Sequence, residues 1–299
     1  MNGIIVLDKP AGITSARAVA EVKKAVGVAK VGHTGTLDPF ATGVLLCCLN
    51  QATRIARFFL HGTKRYTALL RLGIATDTQD GTGQVIARHA VSDFSEECLM
   101  SVFRRFEGCQ MQRPPVYAAL KHEGTPLYKL ARRGTPVQKP ARQVTLALRI
   151  VETALPDIRF EVCCSAGTYV RALCADIGEA LGCGGHLAEL RRTGCGGFTL
   201  DAAISLEALK RTAPEDVRSE VVPMADALPD MPLIRADGAM VQHLMHGKPL
   251  PAEWIQRDID ANEPVGGGYF KVVDEQGRLR AVLQAADEGA KYNYCCVFN

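Results

Sequence analysis

Lys30-Val-Gly-His-Thr-Gly-Thr-Leu-Asp-Pro-Phe-Ala-Thr-Gly-Val-Leu-Leu46 is the stretch on which the reading of this sequence turns. Gly32, Gly35, Gly43 and Pro39 exclude a continuous helix or an unbroken ladder strand across it. Set in that irregular backbone are His33, Thr34, Thr36 and one carboxylate, Asp38, with the apolar run 44–49 directly behind. A glycine-hinged polar loop leading into buried structure is a way for a rigid scaffold to present a reactive group. Asp38 precedes proline, which biases its backbone to an extended conformation and leaves its carboxylate on a constrained loop. Three readings fit the loop alone: a structural turn in which Asp38 bonds nearby backbone N–H groups, a phosphate cradle, or a lone catalytic aspartate. The chain has neither G-x-x-x-x-G-K-[ST] nor G-x-G-x-x-G, which counts against the cradle.

Working outward, residues 3–7 read as a strand. Thr14 and Ser15 offer an N-cap to a helix running to Val26, and Gly27 stops it. A second helix is predicted from about Thr53, carrying Ile55, Phe58 and Phe59. A strand over 64–72 and another over 84–89, joined through the turn 77–81, read as a hairpin. Leu99, Val102, Phe103 and Phe106 follow helical spacing after Ser95, with Gly108 as the stop. Residues 109–141 are rich in proline, glycine and basic residues without a long period, which marks a functional or mobile segment. Strands over 144–152 and 158–165, a helix over 169–181, more strand over 189–199 and a short helix capped by Ser205 follow. Three prolines between Pro223 and Pro232 mark a boundary, and the short apolar runs 270–273 and 279–285 beyond it predict a small β-rich domain.

At 299 residues the chain can bury a sizeable core divided over more than one domain. Its 47% apolar and 22% charged composition is that of a soluble globular protein, and no apolar run approaches the ~20 residues that span a bilayer. The first residues carry no basic leader segment, so the cytoplasm is the expected location. Cys47-Cys48, Cys163-Cys164 and Cys295-Cys296 are adjacent pairs in strand-like runs, and no C-x-x-C occurs among the eleven cysteines. Neighbours on a strand face opposite sides, so these read as buried thiols rather than a metal site. Positive charge is concentrated: residues 109–142 hold seven basic residues against one acid, Glu123, whereas the chain from 232 onward holds seven against nine. Lys121, Lys129, Arg132, Arg133 and Arg142 therefore form the candidate polyanion-binding surface, with Tyr117 and Tyr128 as interleaved aromatics.

Gly-His-Thr-Gly-Thr-Leu-Asp-Pro-x-Ala-Thr-Gly resembles the signature of the bacterial tRNA pseudouridine-55 synthases of the TruB type. Further matches recur in the same order: Lys9-Pro10-Ala-Gly12-Ile-Thr-Ser15, Lys64-Arg-Tyr-Thr, Ser165-Ala-Gly-Thr-Tyr-Val-Arg171 and Leu190-Arg-Arg192. The resemblance covers essentially all of 1–230 and, more weakly, 233–299, where Leu244-Met-His-Gly-Lys-Pro-Leu is similar to part of a PUA-like domain. Asn50 departs from it, standing where glycine is common. What it implies is an α+β fold with a central mixed, mainly antiparallel sheet. A catalytic domain over 1–230 carries an RNA-clamping insertion over 109–142, and a PUA-like domain follows over 233–299. It implies an isomerase with Asp38 as nucleophile; Tyr66, Tyr169, Arg171 and Leu190 lining the uracil pocket; and His33 filling the stack vacated by a flipped base. The expected partner is the T-stem-loop of tRNA, with no cofactor, no metal, no membrane and no protein partner, and the chain is expected to be a monomer. The chemistry suits these residue types: a carboxylate ionised at neutral pH attacks without an activating base, a neighbouring arginine holds it ionised and oriented, and an aromatic ring stacks the detached base. Two rivals stay open from the residues alone, a non-enzymatic RNA chaperone using the same basic segment and a phosphate-loop enzyme.

Overall fold

The computed structural model describes residues 1–213, 215–248, 250, 254, 268–285 and 292–299; Pro214, Pro249, residues 251–253, 255–267 and 286–291, all but the first within the expected C-terminal domain, lie outside the described residues. The described residues build one ten-stranded sheet and one four-stranded sheet, with two two-stranded ribbons. Across the large sheet the order is Ile204–Ser205, Gly3–Lys9, Thr42–Leu49, Gly185–Cys195, Lys64–Leu72, Asp157–Cys164, Arg142–Ala154 and Gly108–Gln112. Val31–His33 also pairs with 42–49, and Phe198–Thr199 with 185–195. The first strand is parallel to 204–205, and 185–195 is parallel to 42–49; the remaining pairs of that sheet are antiparallel. The expected α+β fold with a mixed, mainly antiparallel sheet is what the chain adopts.

The local signals that fixed these elements are chemical. The helix Ser15–Val26 starts where the Thr14 hydroxyl accepts from the Arg17 N–H and stops where Gly27 turns left-handed at φ 66°. Ser95 and Ser205 cap the helices Glu96–Arg104 and Leu206–Arg211 in the same way. Two expectations are corrected. Strand Val85–Arg88 pairs with Ile74–Thr76 and not with Lys64–Leu72, because Gly73, at φ 81° and with His89 O close to where a side chain would begin, breaks the run after Leu72. The helix after Ser95 ends at Arg104, and Gly108 instead opens the edge strand.

Cys47 and Cys48 are both fully buried on opposite faces of one strand, Cys47 packing with Ile5, Leu7 and Ala18 and Cys48 with Ile4, Val6 and Phe59. Asn50 sits at φ 46°, a left-handed backbone that asparagine tolerates and glycine adopts freely, which accounts for the departure at that position.

The small sheet pairs Leu233–Ala236, Tyr269–Asp274, Leu279–Ala285 and Tyr292–Val297 in that order, with helix Gly238–Met245 alongside. It is joined to the large sheet through a common core. Val273, Leu279, Val282, Cys296 and Phe298 pack in one cluster with Ile4, Val6, Val44, Leu46 and Ile55. The proline-rich 223–232 contributes buried Met224, Ala225, Ala227 and Leu228 to that cluster, so the boundary is a packed joint rather than an exposed linker.

Candidate active site

The Asp38 loop is gripped on both flanks by the segment 9–15. On one side the Ser15 hydroxyl accepts from the Leu37 N–H at 2.8 Å and donates to the Leu37 carbonyl at 3.0 Å. On the other the Pro39 carbonyl accepts from the Gly12 N–H at 2.8 Å and the Lys9 ammonium at 3.3 Å. The Ala41 N–H closes a tight turn onto the Asp38 carbonyl at 3.1 Å. Lys9 is fully buried, and its ammonium also donates to the Pro10 and Ile13 carbonyls at 2.7 and 2.8 Å. Lys9-Pro-Ala-Gly-Ile-Thr-Ser15 is thus a turn and cap, and also the bracket of the aspartate. Gly43 is required by a further approach: at φ 102°, its missing side chain would begin 2.1 Å from the Arg192 carbonyl oxygen. Arg192, itself buried, donates from Nε to the Val44 carbonyl at 2.6 Å and from Nη2 to the Gly35 carbonyl at 3.2 Å.

Arg171 completes the arrangement. It rises from the first turn of helix Val170–Ala180, 5% exposed at its side chain, and its Nε lies 2.9 Å from Asp38 Oδ2. Nη1 donates to the Thr78 carbonyl and Nη2 to the Tyr117 carbonyl, each at 2.9 Å. A second carboxylate, Asp80, approaches Nη1 at 3.6 Å and is itself held by the Thr78 and Thr82 hydroxyls and the Thr82 N–H. The guanidinium is fixed by four groups from three loops, so its orientation of Asp38 does not depend on the carboxylate alone.

Asp38 and Arg171 open into a cavity of about 350 Å³ lined also by Tyr66, Tyr169, Leu190, Lys64 and Arg142. The residues expected to line the pocket, Tyr66, Tyr169, Arg171 and Leu190, therefore come together around Asp38. Tyr66 lies on the central strand Lys64–Leu72 and Leu190 on its neighbour Gly185–Cys195, paired so that Leu190 faces Ala68 and Arg192 faces Tyr66. His33 is not among the lining residues: it stands half-buried on the short strand 31–33, its Nδ1 enclosed without a hydrogen-bond partner among the described residues.

The electrostatics differ from the simple expectation. Burial pushes the Asp38 carboxyl above the usual carboxylate range; Arg171 opposes that rise, Asp80 adds to it and Lys9 opposes it. Arg171 orients the carboxylate as expected, yet burial outweighs it in setting proton affinity. Burial likewise pushes the Tyr66 hydroxyl up to about 12 and raises that of Tyr169, so both phenols are neutral at physiological pH. Burial draws the Lys9 ammonium down to about 8.

Of the basic residues singled out, Lys121, Lys129, Arg132 and Arg133 are exposed. Lys121 lies on a small ribbon, Lys121–His122 with Thr125–Pro126, Lys129 and Arg132 on the helix Leu127–Arg132 that follows it, and Arg133 at that helix's C-cap. Arg142 is different: half-buried, it donates to the Gly167 carbonyl and lies over the Tyr169 ring at 5.0 Å. Tyr117 turns inward, its carbonyl on Arg171 and its hydroxyl 3.4 Å from Asp77 Oδ2, while Tyr128 packs under Arg132. Lys9, Ser15, Lys64, Asp80, Gln112 and Arg192 are site or supporting residues to which sequence reasoning assigns no role at the site. Lys9, Ser15, Lys64 and Arg192 stand inside the quoted motifs, Asp80 in the turn 77–81, and Gln112 in no recognised pattern.

Comparison with known proteins agrees with this geometry. Residues 23–170 match the TruB family pseudouridylate synthase N-terminal domain, and 171–229 match the tRNA pseudouridylate synthase B C-terminal domain. The tRNA pseudouridine synthase B of Burkholderia pseudomallei (strain 668) is 42% identical over 288 residues, covering 96% of this chain and 94% of that protein. The enzyme of the same name from Syntrophotalea carbinolica is 43% identical over 264 residues, or 88% and 86% of the two chains. Among solved structures, a chain of a Cbf5-Nop10-Gar1 complex superposes with a TM-score of 0.74 at 29% identity, over 99% of this chain and 84% of that one. An H/ACA ribonucleoprotein bound to a substrate RNA containing 2′-deoxyuridine gives 0.72 at 29% identity, over 96% and 79%. The bracketed aspartate, its arginine and the lined cavity thus sit in a chain that belongs to the TruB family of pseudouridylate synthases, and so is an isomerase.

Proposed function

We propose that the chain converts uridine to pseudouridine at position 55 in the T-loop of tRNA, with Asp38 as nucleophile and without a cofactor. The observation that carries this reading is a single ion-paired carboxylate, Asp38, opening into a nucleotide-sized cavity walled by two neutral tyrosines and a leucine. A carboxylate whose proton affinity burial has raised is a stronger nucleophile when ionised than one in water. Asp38 attacks ribose C1′, the C1′–N1 bond breaks and its electron pair leaves on the uracil ring. The detached base turns against the Tyr66 and Tyr169 rings until C5 faces C1′. C5 then attacks C1′, the bond to Asp38 returns its electrons to the carboxylate, the C5 proton is lost and N1 gains a proton.

Reaching a base stacked inside a folded loop requires everting its nucleotide. His33, with a ring nitrogen unpartnered among the described residues, occupies the vacated position, while the exposed Lys121, Lys129, Arg132 and Arg133 hold the RNA backbone and Arg142 guards the cavity rim. Relatives named tRNA pseudouridine synthase B support tRNA as the substrate class. In this reading 1–230 is the catalytic unit with 109–142 as its RNA clamp, 233–299 is a PUA-like module, and the protein works as a cytoplasmic monomer. The test is to treat unmodified tRNA with the protein and map pseudouridine by carbodiimide adducts and mass spectrometry. An adduct at position 55 is expected; adducts only elsewhere would move the substrate, and none at all would favour an RNA chaperone.

A further inference from the structure

Gln112 ends the edge strand Gly108–Gln112, where the large sheet gives way to the basic segment. The residue is 5% exposed, and its side chain reaches across to Tyr169. Nε2 donates to the Tyr169 carbonyl at 2.9 Å, and the Tyr169 N–H donates to Oε1 at 2.8 Å. A primary amide that meets both backbone groups of one residue holds it as a paired strand would. Tyr169 needs that hold. It is the N-cap of helix Val170–Ala180, extended at φ −109° and ψ 106°, and its own side chain makes no capping bond.

The surrounding interactions converge on the same place. Directly across the ladder from Gln112 is Arg142, whose guanidinium lies over the Tyr169 ring. Between them in sequence, the Tyr117 carbonyl accepts from Arg171. Both stems of segment 109–142 and one residue within it therefore hold Tyr169 or Arg171, and through Arg171 the carboxylate of Asp38.

We propose that Gln112 is a positioning residue of the catalytic centre, its amide coupling the seating of RNA on segment 109–142 to the placement of Tyr169 and Arg171 around Asp38. This rests on the uridine-isomerising reading above. A buried amide that only satisfied a backbone group would move stability and leave chemistry alone. Here the residue held carries a wall of the cavity and precedes by two positions the arginine that aims the carboxylate, so its displacement acts on the rate.

Gln112→Met keeps length and volume while removing donor and acceptor. The whole chain and the variant are given a T-stem-loop with tritium at uridine C5, which is released when C5 bonds to C1′. Single-turnover release at saturating RNA should fall about 10- to 100-fold, with RNA affinity held within about twofold, the signature of lost positioning. Amide exchange in the peptide around Tyr169 should quicken, and RNA should no longer slow it although it still protects 121–133. Wild-type release at saturation, or a defect that more RNA abolishes, would overturn the assignment. Should the methionine variant fail to melt cooperatively, Gln112→Glu serves: it keeps the acceptor but sets an oxygen against the Tyr169 carbonyl. The same loss of at least about tenfold is expected of it, and a wild-type rate would overturn the assignment. No release by the unaltered chain would overturn the proposed reaction itself, a result distinct from equal release by both chains.

Discussion

At the scale of the residue, Asp38 is held by opposing forces that pH can separate. In the folded chain burial makes the carboxyl keep its proton more tightly than in the unfolded chain, despite Arg171 and Lys9. Its ionisation therefore subtracts stability as pH rises from the ordinary carboxylate value through the folded one, and that loss persists at neutral pH. Asp38→Asn removes it, while Arg171 keeps the Thr78 and Tyr117 carbonyls and Asp80. Thermal melting at pH 7 should show the asparagine variant no less stable than the parent. In the parent, the single-turnover rate should fall as pH drops through a midpoint above the ordinary aspartate value of 3.8. Tyr66 gives a second prediction at this scale. With the Tyr66 hydroxyl pushed up to about 12 by burial, the proposed reaction uses this residue as a ring rather than as a phenolate base. Tyr66→Leu should lose much more single-turnover activity than Tyr66→Phe, and equal losses would reassign the hydroxyl to proton transfer.

At the scale of the element, the basic segment separates into two parts to which the proposed reaction gives different duties. Lys129, Arg132 and Arg133 are exposed on and just after one short helix, whereas Gln112, Tyr117 and Arg142 contact Tyr169 or Arg171. Neutralising the three exposed residues together should weaken tRNA binding and flatten its salt dependence, by ~0.7–0.9 in slope for each phosphate no longer neutralised. The single-turnover rate at saturating RNA should change far less; an unchanged slope in a filter-binding series would place the RNA path elsewhere. The same division explains what is legible in sequence. Helix Ser15–Val26, strand Lys64–Leu72 and the caps at Ser95 and Ser205 announce themselves because capping and alternation are local. The partner of strand Val85–Arg88 is hidden because a single glycine, Gly73, resets the chain. Asp38, Arg171 and the tyrosines stand in long motifs, but Ser15 on Leu37, Asp80 on Arg171 and Gln112 on Tyr169 join residues far apart in sequence. Their side chains obey no period, so only the fold brings them into view.

At the scale of the whole molecule, the two sheets share a core. Phe298, next to the last residue, is 1% exposed, packs with Ile4 and Val6, and lies under Arg54 at 5.2 Å. Arg54 and Arg57 bond across the joint to the Val297 carbonyl and the Tyr269 hydroxyl. Removing 233–299 would uncover that cluster, so a point change is the cleaner probe. Phe298→Ala should cost about 3–5 kcal/mol in chemical denaturation and shift the unfolding of the whole chain as one transition. A separate transition for the small sheet would show that the joint is weaker than its packing implies. The bracket and the cavity meet at one carboxylate, and the most direct test of its proposed role is tritium release from unmodified tRNA by Asp38→Asn, with tRNA binding measured on the same preparation. Binding should stay close to that of the parent while release falls by more than ~10⁴-fold, beyond the range of a missing acid–base helper, because a nucleophile has no substitute. Release near the parent rate would contradict the assignment of Asp38 as the nucleophile.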